Sequence, residues 1–172
     1  MSNFYDVSVG TYNQVLGGVQ GVLNKARAHF EEQGTDLEEI VQTQLYDDML
    51  PFWFQIASVA HHSKGGLTAL ETGQFSPPTR PENPTWDSLT ALVEEAKAVV
   101  DAADVEAINA SAEGEVVFSR GDFSMAFKAS DFILTFSLPN FYFHATTTYD
   151  MLRMKGVPLG KMDFLGRMRI KG

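Results

Sequence analysis

Four long stretches carry apolar residues at three- and four-residue steps, a proline-rich gap separates the second from the third, and one run alternates β-formers. Together they predict an all-α four-helix bundle with a long crossover between helices two and three and a small β-hairpin before the last long helix. The 172 residues suffice to bury a core without staples and suit one domain over 1–172.

From Val7 to Gln33, the residues Val9, Tyr12, Leu16, Val19, Val22, Leu23, Ala26 and Phe30 mark the buried face of the first helix. Gly34 stands where a glycine ends one. Gly17, Gly18 and Gly21 each cost about 1 kcal/mol against Ala, which predicts that another backbone packs closely there. Thr35-x-x-Glu38 reads as a capping box on a short connector. The second helix is expected to take Asp47 or Asp48 as N-cap, to carry Pro51 in its first turn, and to run to about Thr72 with Gly73 as terminator.

Pro77, Pro78, Pro81 and Pro84 make "QFSPPTRPENP" a crossover without regular structure. Thr85 then caps a third helix, "WDSLTALVEEAKAVVDAAD", with Trp86, Leu89, Leu92, Val93, Ala96, Val99 and Val100 on its inner face. Between Glu115 and Lys128 the pattern on either side of Gly121-Asp122 predicts a hairpin. Ser130 or Asp131 is placed to cap the last helix, which passes Pro139, an expected kink, and ends at Gly156. The Gly-punctuated tail from Leu159 reads as a surface loop or arm.

A net charge of -9 repels a phosphate backbone, so nucleic acid is excluded as a partner class. The absence of cysteine removes disulfides, thiolate nucleophiles and Cys-ligated zinc. No apolar stretch is long enough to cross a bilayer and the N-terminus lacks the pattern of a secretory signal, so no membrane is expected and the cytoplasm is the expected compartment. Phosphate-loop, dinucleotide, HExxH and calcium-loop patterns are absent; "KGGLTALETG" has glycines but no strand before them.

Chemistry therefore falls to the histidines: His29, His61, His62 and His144. His29 lies near the end of the first helix, where an imidazolium favours the dipole. His61 and His62 point about 100° apart on a helix, so only one can face a given pocket. His62 continues a polar seam with Ser58, Gln55, Pro51 and Asp48 and is the inward candidate, with His61 at the rim. His144 shares its face with Asn140, Phe141, Thr147, Thr148 and Met151. It is read either as a buried histidine satisfied by its neighbours or as meeting His62 inside the bundle, with Gln55 and Tyr142 completing a ligand site. As a metal site, His62 and His144 lack a third ligand; Asp48 or Asp150 is the carboxylate candidate, Asp48 the first choice, and position 148, one turn on, is Thr. The aromatics Phe52, Trp53, Phe54, Phe132, Phe136, Phe141, Tyr142 and Phe143 exceed one inward stripe. Their outlets are packing on the hairpin and tail, a homodimer surface, or a pocket for a small apolar or aromatic molecule.

The stretches "YDVSVGTYNQVLGGVQGVLNKARAH", "LYDDMLPFWFQIASVAHHSKGGLTALETG" and "LPNFYFHATTTYDMLRMKGVPLGKMDFLG" make the chain resemble the DUF1993 family, of unknown function, within the DinB-like four-helix-bundle superfamily. The resemblance implies long helices with a crossover after the second and frequent homodimers. Relatives in that superfamily hold a divalent metal with three histidines, and some are thiol-dependent transferases or isomerases; for this chain the expected cofactor is none, with a divalent metal such as zinc or nickel the alternative. His62 resembles the ligand on the second helix and His144 the first on the last helix, while Thr148 stands at the third ligand's place and departs from the pattern. Three readings follow. One is a small-molecule-binding protein or enzyme without the full metal site. Another is a divalent-metal-dependent transferase or hydrolase using His62 and His144. The last is a non-catalytic dimeric interaction protein.

Overall fold

A computed structural model describes residues 3–171. Asn3 caps α1 (Phe4–Val7) through its side-chain oxygen. A break at Ser8 precedes α2 (Val9–Gln33), so the first helix is divided where the sequence suggested one run. Gly34, at φ 66°, closes α2, and the amide of Thr35 donates back to the Phe30 carbonyl. α3 (Leu37–Val41) begins one residue later than a Thr35 cap requires, so its cap is Asp36, which accepts from the Glu38 amide at 2.9 Å. Glu38 instead accepts from the Trp86 amide, 3.2 Å away, tying the connector to the third long helix.

The second long helix starts later than expected. Pro51 is its N-cap, and Asp47 and Asp48 lie exposed in the preceding turn. A start at Asp48 would place Leu50 in helical conformation directly before a proline, which the proline ring disfavours. The helix runs as α4 (Phe52–Ala60), a π-helical turn (His61–Gly65) and α5 (Gly66–Thr72), closed by Gly73. Its continuation is not all loop: β1 (Gln74–Phe75) pairs in parallel with the hairpin. The prolines then cross the bundle, and the Arg80 guanidinium lies 5.2 Å from the ring centre of Trp53.

Thr85 and Ser88 form a reciprocal cap on α6 (Trp86–Asp101). Val99, expected on its inner face, is exposed instead, because Val100 takes the inward position and adjacent residues point about 100° apart on a helix. A further short helix, α7 (Val105–Ser111), follows, capped by Asp104. The hairpin of β2 (Glu115–Arg120) and β3 (Phe123–Lys128) turns at Gly121-Asp122, giving a three-stranded sheet ordered β1-β2-β3. β3 enters the last long helix directly, as α8 (Ala129–Asp131), a π-helical segment (Phe132–Ser137) and α9 (Leu138–Met154). Neither Ser130 nor Asp131 caps it, because the first amides donate to the Gly114 and Ala112 carbonyls instead. Pro139 directly follows the π-helical segment, where the regular carbonyl ladder that its missing N–H would have joined is already disturbed.

The tail is not a free arm. Asp163 accepts from the Gly160 amide at 2.8 Å and starts α10 (Lys161–Leu165), which packs on α2. A Cβ at Gly18 would collide with the Phe164 carbonyl oxygen, so the close approach expected of the glycines occurs at Gly18, whereas Gly17 and Gly21 face open space.

In the core, Tyr12 and Phe141 meet edge to face at 5.0 Å, and Phe52 stacks on Trp86 at 5.6 Å. Each such side chain contributes on the order of 2 kcal/mol by burial. Phe75, Phe118, Phe127, Phe132 and Phe136 form a continuous aromatic layer between sheet and helix, so packing on the hairpin absorbs much of the aromatic excess.

Candidate functional site

α4 and the π-helical turn that continues it pack against α9 and bring the two inward histidines together. The rings of His62 and His144 stack with their centres 6.1 Å apart and their planes 15° from parallel. His62 is 6% exposed and His144 9%. Around them stand Phe75 and Phe136 on the His62 side and Phe54 and Phe143 on the His144 side, with ring centres 5.1–5.9 Å from the imidazoles.

Gln55 determines which nitrogen of His144 carries the proton. Its amide nitrogen donates to the Leu50 carbonyl at 2.9 Å, and a carbonyl can only accept, so the amide oxygen is the atom turned to His144. That oxygen lies 2.8 Å from Nδ1 and accepts from it. His144 is thus the Nδ1–H tautomer, and its Nε2 keeps a lone pair.

Burial pushes the pKa of His144 down to about 4. Burial pushes that of His62 to about 3, helped by the proximity of His61 and then of His144. Both rings are neutral near neutral pH. Nδ1 of His62 and Oγ of Ser58, one helical turn before it, are buried without a hydrogen-bond partner.

The backbone that presents His62 is unusual. A π-helical turn admits one extra residue and disturbs the carbonyl ladder. The carbonyl of His62 is met by Ser137 Oγ at 2.7 Å, from the other π-helical segment, and Ser137 Oγ in turn accepts from Tyr12 at 2.8 Å. Burial, only partly offset by the Ser137 hydrogen bond, pushes the Tyr12 pKa far above its ordinary value. Gly66 makes room for the relay: a Cβ there would lie 3.0 Å from Ser137 Oγ and 3.2 Å from the Tyr12 hydroxyl.

His61 stands at the rim, half-buried, with Nε2 2.6 Å from the Ser76 carbonyl. Burial is the main cause of its lowered pKa. Of the other candidates, Tyr142 is 42% exposed and Asp48 lies exposed in the turn before Pro51. Periodicity alone did not reveal the contributions of Phe75, Ser76, Ser137 and Tyr12. The adjacent Gly65-Gly66 inside a helix was their one sequence signal.

The residues present do not fit a three-histidine metal centre. Thr148 is fully buried at the third ligand's place, and its hydroxyl is spent donating to the His144 carbonyl at 2.9 Å. Among the described residues, no three His, Cys, Asp or Glu side chains are grouped to hold an ion.

A family model described as "Domain of unknown function (DUF1993)" matches residues 4–165. No curated protein matches the chain. A crystal structure of a DinB family member protein from Shewanella denitrificans superposes with a TM-score of 0.81 at 23% identity, covering 98% of this chain and 94% of that one. At that identity the likeness shows the fold, a DinB-like bundle.

Proposed function

The chain belongs to the DUF1993 family, and we propose that its His62–His144 seam binds a small, largely apolar or aromatic organic molecule bearing a hydrogen-bond donor. The observation that carries this reading is the pair of neutral, stacked imidazoles in an aromatic wall, with His62 Nδ1 and Ser58 Oγ buried and unbonded beside them. Buried polar atoms without partners are rare in folded proteins and call for a cause. The lone pair on His144 Nε2, held in place by Gln55, suits an alcohol, phenol or thiol proton.

Binding is favoured over proton abstraction. A general base works best with a pKa near the operating pH, and His144 at about 4 lies well below neutrality. The runner-up, a divalent-metal-dependent transferase or hydrolase on His62 and His144, needs a third ligand, which Thr148 does not supply. Two copies of the chain are proposed to pair through the face of α9 where Tyr142 and Phe143 stand exposed.

Phenol is a suitable first probe, followed by the ring resonances of ¹⁵N-labelled histidines. Phenol should shift His62 and His144 but not His29, and Gln55→Leu should weaken the effect. Unshifted rings would overturn the reading. About one divalent ion per chain in untagged protein, lost in a His62→Ala, His144→Ala variant, would replace it with the metal-dependent one.

A further inference from the structure

A second concavity has no histidine on its lining. It opens between α5, the end of α6 and α7, with a volume of about 580 Å³, inside the usual range for small-molecule sites. Leu67, Leu70, Val99 and Ile108 form apolar walls. The only charged residues on the lining are Glu71 and Asp104, and no Lys, Arg or His is among them.

The cleft has a consistent electrostatic sign. Asp104 Oδ1 accepts from the Ala107 amide at 2.8 Å, answering the positive end of α7. Among the described residues Glu71 forms no ion pair; the lysines on the neighbouring segments, Lys64 and Lys97, are held by Glu95 and Asp101. The last turns of α5 and α6 both contribute to the lining, and the carbonyl ends of helices add negative potential. An anion entering here would meet like charge and find no cation, whereas an ammonium group would meet Glu71 at the edge of an apolar wall.

We propose that this cleft binds a small organic cation, a primary amine with a short alkyl or arylalkyl body. The body lies against Leu67, Leu70, Val99 and Ile108, and the ammonium faces Glu71. The site is separate from the histidine seam and stands or falls independently of it.

Three probes of equal length and different charge test this: n-hexylamine, n-hexanol and n-hexanoate, titrated into full-length methyl-labelled protein. Hexylammonium should shift the methyls of Leu67, Leu70, Val99 and Ile108, with hexanol about tenfold weaker, as loss of one charge-assisted hydrogen bond implies. Hexanoate should be weaker still. Glu71→Gln, at an exposed position, should reduce hexylammonium to the level of hexanol, and Ala107→Phe on the exposed rim should abolish the shifts. Equal binding of amine and carboxylate, an unchanged preference in Glu71→Gln, or unmoved methyls with all three probes would each overturn the proposal.

Discussion

At the scale of single residues, the cost of the site lies in keeping two imidazoles uncharged. In the unfolded chain a histidine titrates near about 6.5, whereas in the fold His62 does so at about 3 and His144 at about 4. Between those values the unfolded state binds more protons than the folded one, so stability is fully present above the unfolded pKa and is lost as pH falls below it. Each ring can contribute at most about 1.4 kcal/mol per pH unit within that window. The urea midpoint should therefore fall between about pH 7 and about pH 5, and fall less in a His62→Leu, His144→Leu variant; equal falls would mean that the histidines do not set it. The inward placement of His62 and His144 was legible in the sequence because it needs only a polar residue on an apolar face. The tautomer of His144 was not, since it depends on the Leu50 carbonyl and the Gln55 amide meeting after a turn that no periodicity describes.

At the scale of elements, the four long helices, the crossover and the hairpin were legible because their spacings and terminators are local. The two π-helical segments were not: a fixed helical period cannot register one added residue, and the relay from Tyr12 through Ser137 to the His62 carbonyl spans sequence-distant positions. The tail helix was hidden behind its glycines, although Asp163 three residues after Gly160 was a start signal. The glycines of α2 separate local propensity from packing. Gly17→Ala and Gly21→Ala, which meet nothing within 4 Å, should each stabilise the protein by up to about 1 kcal/mol. Gly18→Ala should destabilise it and expose α10 to proteolysis, because the added carbon meets the Phe164 carbonyl. Thermal melts of the three variants check the contrast, and a stabilising Gly18→Ala would mean that α10 does not sit on α2 as described.

At the scale of the molecule, no helix among the described residues is long and apolar enough to cross a membrane. Phe143 is 57% exposed and touches His144 edge-on, which would put a pairing surface next to the histidine seam. Light scattering should give twice the chain mass for the wild type and a shift toward single-chain mass for Phe143→Glu; a wild-type monomer would remove the proposed dimer. The seat of α10 on α2 also orders events in time. Gly18 leaves the ribosome 146 residues before Phe164, which at roughly 5–20 residues per second is about 7–30 s. Throughout that interval the ridge of the first long helix is bare, so a nascent chain must either wait with it uncovered or borrow a chaperone to shield it.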